Sequence, residues 1–267
     1  MFILLFRKLF KIIHKKYLER KISIVMMQKS KTKKTKFEVG IIAAGEGSRL
    51  KAEGIQTSKP MIPIHGKPLI KWIIDTAINS GADKINCIVN EQLKDLESYL
   101  KSYNGSNKIN LVVKTTASSF HSLKELSQYI APPFLIATAD SIFREDEFKS
   151  FVEYGMNNSD ADVIVAATDF IDDEKPLYIN LDKKKRVIDF DDSDQNYVFV
   201  TGGLYLFKKE IKKEIEEALD ENTNRLRNFL RFLIRRKFRF QIFPFSRIID
   251  VDHRSDIIKA EEILKNN

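Results

Sequence analysis

The chain has 267 residues, 43% apolar and 31% charged, enough apolar material for one sizeable α/β core. Its single cysteine, Cys87, excludes an intrachain disulfide framework or a cysteine metal cluster, and a reducing, cytoplasmic setting is the expectation. The formal charge of +8 is concentrated in residues 1–36, which carry 12 Lys or Arg and one acid, Glu19; residues 37–267 sum to −3, so overall basicity gives no ground for a nucleic-acid partner.

Residues 1–36 read as a basic extension. Phe2, Leu5, Phe6, Leu9, Ile12 and Ile13 recur at helical spacing with Arg7, Lys8 and Lys11 between them. This apolar run is far shorter than the roughly 20 residues that span a bilayer, so the readings are contact of residues 1–25 with the inner membrane face, or translation starting at Met26 or Met27. Phe37 to Ala43 then opens the globular part, 37–267, as a buried strand ending in a glycine turn. Pro68 can occupy the first turn of a helix whose apolar face is Leu69, Ile70, Ile73, Ile74, Ala77 and Ile78, with Gly81 beyond its end. Ile85 to Val89 is the second strand, Leu93 to Tyr103 a helix, Ile109 to Val113 the third strand, Ser122 to Ile130 a helix and Phe134 to Ala137 the fourth strand. That alternation predicts an α/β fold, a mostly parallel, Rossmann-like twisted sheet with helices on both faces and a ligand crevice beyond the carboxyl ends of its strands. Further strands are expected over Asp162 to Ala167, Arg186 to Phe190, Val198 to Phe207 and Phe238 to Phe243. Helices are expected over Lys208 to Leu219, Thr223 to Arg236 and Ser255 to Leu264, all within a single domain.

The turn after the first strand reads Ala43-Ala44-Gly45-Glu46-Gly47-Ser48-Arg49-Leu50. Glycines allow backbone N–H groups to converge on an anion, and a guanidinium adds charge-assisted hydrogen bonds in a fixed fork. Ten residues beyond Arg49, Pro60 biases Lys59 to an extended conformation from which its ammonium can reach the same anion. Two cations beside one glycine turn suggest a polyphosphate. Leu50 stands where a dinucleotide fingerprint has its third glycine, and no Gly-Lys-Ser/Thr follows at P-loop spacing. A lone glycine turn of this kind is also compatible with a purely structural role.

With Ser58-Lys59-Pro60-Met61-Ile62-Pro63 and Gly66-Lys67-Pro68-Leu69-Ile70, this turn resembles the signature of the sugar-phosphate nucleotidyltransferase superfamily, the nucleotide-sugar pyrophosphorylases. The resemblance covers the catalytic domain alone and implies its GT-A-like fold. It implies an enzyme of the EC 2.7.7 class that moves an NMP from an NTP to a phosphorylated small molecule, a sugar 1-phosphate above all, and releases pyrophosphate. Arg49 and Lys59 would be catalytic, and Ala43, Ala44, Gly45, Glu46, Gly47 and Ser48 nucleotide-binding. Cytidylyl or guanylyl transfer to phosphocholine or a molybdenum cofactor, and a non-catalytic nucleotide-binding regulatory subunit, are the alternatives.

Asp140 ends an apolar strand, Phe134 to Ala139, and the resemblance gives it the role of Mg²⁺ ligand; capping the following helix is the plainer alternative. In Ile249-Asp250-Val251-Asp252-His253, relatives supply a second metal-binding acid. Asp252 is the choice, Asp250 shares its strand-face parity and is the reserve, and Asp256 reads as a first-turn helix acid. No general base is demanded, because the acceptor phosphate is ionised at neutral pH. The loop Lys114 to Leu123 is where relatives hold the base, with Ser118 and Ser119 as hydroxyl donors or simple helix caps. Gly203, in Thr201-Gly202-Gly203-Leu204, would admit a sugar ring or make a bulge. The arginines between Arg225 and Arg236 are a solvated helix face, or one or two of them grip the acceptor's phosphate.

Overall fold

The computed structural model describes residues 36–45, 47–103 and 108–265. The amphipathic pattern, the membrane contact and the start-site question of residues 1–35, as well as Glu46, lie outside them.

Strand β1 (Glu38–Ala43) is apolar almost throughout because it is covered on both faces and paired on both edges. It runs parallel to β4 (Lys84–Val89) on one side and β6 (Phe134–Thr138) on the other, and β5 (Ile109–Val113) extends the sheet beyond β4, again in parallel. This half is the parallel α/β unit expected from the sequence. The other half is not. Strand β11 (Phe199–Phe207) runs antiparallel between β6 and β8 (Val163–Thr168). Beyond β8 follow β12 (Phe240–Phe245), parallel to it, then β10 (Arg186–Asp191) and β9 (Tyr178–Leu181), both pairings antiparallel. The nine-stranded order is β5-β4-β1-β6-β11-β8-β12-β10-β9, and β9 also pairs with the start of β11. The expectation of a mostly parallel, Rossmann-like sheet is therefore corrected to a mixed sheet. For β9 and β10 the reason is chain length: residues 182–185 alone join them, whereas a parallel crossover needs a dozen or more residues.

Helices cover both faces, as expected. One face carries α2 (Leu69–Asn79), α3 (Lys94–Ser102) and α5 (Glu145–Asn157), which bury Ile70, Ile74, Leu96, Leu100, Phe148 and Phe151. The opposite face carries α4 (Ser119–Leu126), α6 (Lys212–Asp220) and α7 (Leu226–Arg235), with Phe120, Leu123, Ile215, Phe229, Leu230 and Leu233 against the strands. Strand β9 is not anticipated by the sequence reading, and α5 is anticipated only as a helix of unstated bounds after Ser141, although its Phe148, Phe151 and Val152 follow helical spacing. Helix α4 begins three residues before its expected start.

A third apolar cluster lies apart from these two and positions the site. It joins Leu50 of α1 (Ser48–Ala52), Ile62 and Ile64 near the two-residue strands β2 (Pro63–Ile64) and β3 (Lys67–Pro68), Ile142 of β7 (Ser141–Ile142), Ile249 of β13 (Ile249–Asp250), Val251, and Ala260 and Ile263 of α8 (Arg254–Leu264). Arg49, Lys59, Asp140, Asp250 and Asp252 each sit within three residues of a member. Burying those apolar neighbours together thus forces five charged side chains, separated by up to 203 positions, to one end of the sheet.

Candidate active site

The cations come from two turns that interlock. Gly47 caps α1 in the left-handed region at φ 62°, and a Cβ there would lie 2.9 Å from Cβ of Lys59, so a glycine is what lets the two turns approach. Lys59 opens a 3₁₀ turn, Lys59–Met61, rather than lying extended; the extended residue is Ser58, at φ −58° and ψ 142°. Buried Ser58 anchors that turn to α3, its backbone N–H and hydroxyl donating to Asp95 Oδ2 at 3.2 and 2.8 Å.

Lys59 is the centre of the site. Its side chain is only 10% exposed, and Nζ lies 2.7 Å from Asp140 Oδ2 and 2.6 Å from Asp252 Oδ1. Burial alone would lower the pKa of this ammonium, but the charges and hydrogen bonds of the two carboxylates outweigh it and hold it above the ordinary lysine value. Asp140 is likewise pulled in two directions: burial raises its pKa, and Lys59 brings it below the usual carboxylate value. Arg49 Nη1 donates to the second oxygen of Asp252 at 2.5 Å, and its Nη2 lies 3.4 Å from Glu174. Arg49, Lys59, Asp140 and Asp252 therefore share one network, as the sequence reading requires.

The two strand ends are joined directly. Strands β7 and β13 pair antiparallel with Ser141 opposite Asp250, and Val251 N–H donates to the carbonyl of Asp140 at 3.0 Å. Helix capping does not account for Asp140, because the next helix, α5, starts at Glu145 with Arg144 as its cap residue. The reserve acid, Asp250, differs from Asp252. It accepts from Ser141 Oγ at 2.6 Å, and burial, then the neighbouring charge of Asp140, pushes its carboxyl up to about 7. Both oxygens of Asp252 already face cations. Asp256 behaves as the expected first-turn acid, its Oδ2 accepting from the backbone N–H groups of Asp252 and His253 at 3.1 and 2.8 Å. His253 pairs with Glu53 at 2.5 Å, a hydrogen bond that raises its pKa.

Asp140 and Asp250 open into a crevice of about 1040 Å³, solvent at its mouth included, lined by Ser119, Thr138, Gly203, Tyr205, Lys175 and Arg225. Ser119 and Gly203 are thus at the crevice. Ser118 is the N-cap of α4, its hydroxyl accepting from His121 N–H and lying 2.9 Å from His121 Nδ1, which accounts for that serine without a ligand. The basic helix divides. Arg227 and Arg231 hold Asp192 at 2.6 and 2.8 Å, while Arg235 and Arg236 pair with Glu217 or Glu221 and pack on Phe232. Arg225 and Arg227 both line the crevice, and among the described residues Arg225 has no ion pair. Lys175 is absent from the sequence-derived set: it belongs to the connection between β8 and β9, which only the fold brings to the crevice. Among the described residues no preformed cluster of three or more His, Cys, Asp or Glu side chains suits a metal.

Over 177 residues, 64% of this chain, it is 28% identical to the bifunctional protein GlmU of Methanocaldococcus jannaschii, covering 40% of that protein. The chain spans no more than half the length of the curated relatives it matches, half in the case of glucose-1-phosphate adenylyltransferase from Bacillus mycoides (24% identical over 190 residues, 62% of this chain). Its fold is similar to that of a putative glucose-1-phosphate thymidylyltransferase from Bacillus anthracis, solved in complex with a sucrose: TM-score 0.74 at 18% identity, over 86% of this chain and 96% of that one. The inositol-1-phosphate CTP transferase of T. maritima gives a TM-score of 0.71 at 16% identity with the same coverage. The family model described as nucleotidyl transferase matches residues 39–266, which takes in every charged group of the crevice. With its glycine turn, paired cations and strand-end acids gathered at one end of a mixed α/β sheet, the chain belongs to the nucleotidyl transferase family.

Proposed function

We propose that the chain transfers an NMP from an NTP to a phosphorylated small molecule, a sugar 1-phosphate or a polyol phosphate of similar size, and releases pyrophosphate. The observation that carries this is Lys59, nearly buried between Asp140, which lines the large crevice, and Asp252, which with Arg49 lines a neighbouring pocket; Asp250 lines both. Arg49 and Lys59 would bind the triphosphate and stabilise the charge that builds on the departing pyrophosphate, and the backbone of Gly45, Gly47 and Ser48 would line its path. The acceptor's ionised phosphate oxygen attacks the α-phosphorus, one P–O bond forming as that to pyrophosphate breaks, so no side chain has to remove a proton. Arg225 and Lys175, across the crevice, suit the acceptor's phosphate.

A Mg²⁺ ion fits the acids. The donors are carboxylate oxygens, the kind Mg²⁺ takes one or two at a time beside substrate phosphates, and the ammonium of Lys59 already bridges two of them. Asp140 and Asp250 are the better pair to hold it, since both line one crevice and Lys59 takes only Oδ2 of Asp140, whereas Arg49 and Lys59 take both oxygens of Asp252. When bound, the ion supplies positive charge at the α-phosphate.

The test is a matrix of each NTP with Mg²⁺ against sugar, polyol and choline phosphates, read as pyrophosphate release. At least one pair should react, and Asp140→Asn should abolish that reaction. Tight NTP binding with no release across the panel would instead support a regulatory nucleotide-binding subunit.

A further inference from the structure

We propose that Ser141 is a positioning residue, holding the carboxylate of Asp250 beside Asp140 in the orientation that receives a divalent cation; this rests on the metal reading above. Two acids brought to one crevice repel each other, and neither the β7 to β13 pairing nor the Val251 to Asp140 bond fixes a side-chain torsion. The Ser141 hydroxyl does. It is 4% exposed and donates to Asp250 Oδ1 at 2.6 Å. Its oxygen also lies 2.9 Å from Thr138 Oγ1, so a chain of hydroxyl contacts runs from Thr138 through Ser141 to Asp250. One oxygen of Asp250 is thereby fixed and the other is left for a ligand.

Gly203 is part of the same device. It lies at φ 73°, and a Cβ on it would fall 2.4 Å from Thr138 Oγ1 and 2.7 Å from Ser141 Oγ. The missing side chain leaves room for the two hydroxyls, a task distinct from admitting a sugar ring and explaining why a glycine interrupts a buried strand. The register shift of β11 against β8 between Thr201 and Tyr205 falls at the same place.

The experiment measures Mn²⁺ affinity by electron paramagnetic resonance, with and without NTP, for the wild type, Ser141→Ala, Asp250→Ala and the double variant, alongside their melting temperatures. Ser141→Ala should weaken Mn²⁺ binding about 10- to 100-fold, as loss of a hydrogen bond to a metal ligand does elsewhere, and should add nothing once Asp250 is gone. Thr138→Val, which keeps the side-chain shape and removes the hydroxyl that contacts Ser141, should weaken binding in the same direction and serves if Ser141→Ala does not fold. Unchanged Mn²⁺ affinity in a folded Ser141→Ala protein, or an equal loss with and without Asp250, overturns the proposal. Failure of the wild type to bind Mn²⁺ even with NTP would overturn the metal reading itself.

Discussion

At the scale of single residues, charge decides what the crevice does. Lys59→Met keeps the stem and removes the ammonium, leaving Asp140 and Asp252 without the cation between them. The expected outcome in steady-state assays of pyrophosphate release is a loss in kcat/KM on the order of 10²- to 10³-fold, with stability lowered by about 1–3 kcal/mol in urea unfolding. A loss below tenfold would remove Lys59 from the catalytic set. Far from the crevice, Asp162 is 3% exposed and bonded to Arg239 and Lys209. Burial raises its pKa, but the bonds from Arg239 and Lys209 outweigh it and hold it at about 2. Because the folded-state value is the lower one, its contribution is complete above the unfolded value of about 4 and is lost as pH falls towards 2. Asp162→Ala should cost about 1–3 kcal/mol at neutral pH, and the gap from wild type should shrink between about pH 4 and pH 2. A gap independent of pH over that window would assign the loss to packing. The glycine turn, Arg49 and the Lys-Pro pair were legible in sequence because their signal is local and chemical. Asp250 and Asp252 were not separable, because residues two apart on an extended strand present the same face.

At the scale of elements, the connection between β8 and β9 is the part that no periodicity announces. It brings Glu174 to Arg49 at 3.4 Å and to His253 at 3.3 Å, pairs Asp172 with Lys259 of α8, and lays Phe170 under Arg247. A nucleotide using Arg49 has to compete with Glu174. Glu174→Gln should therefore lower the KM for NTP, by up to about fivefold since an exposed pair contributes about 0.2–1 kcal/mol, with little change in kcat; a raised KM would show that Glu174 helps to bind the nucleotide. Helix α4 begins at Ser119, ahead of the Ser122 expected, because the Ser118 hydroxyl takes up a free N–H of its first turn, the capping role that Ser118 offered in the sequence.

At the scale of the whole molecule, two cores on the faces of one sheet and a third cluster at one end of it make the site a consequence of folding. A ligand that binds the folded chain alone must stabilise it. With Mg²⁺ and the right NTP at about 100 times the dissociation constant, the gain is about 2.7 kcal/mol, a rise in melting temperature of about 5–10 °C for a domain of this size. Adding a chelator should remove most of that rise. A shift indifferent to the chelator would count against a metal in the nucleotide complex. Among the described residues no helix is long and apolar enough to cross a membrane.

The sequence by itself determined the parallel half of the sheet, the helices on both faces and the chemistry at the first turn, because each is written in neighbouring residues as periodicity, capping or a charged side chain beside a glycine. Only the tertiary structure decided the antiparallel half, the arrival of Lys175 and Glu174 at the crevice, and the different surroundings of Asp250 and Asp252. Those depend on which strands close on which and on which apolar neighbours are buried together. Such contacts join positions as far apart as 49 and 252, and no local pattern records them.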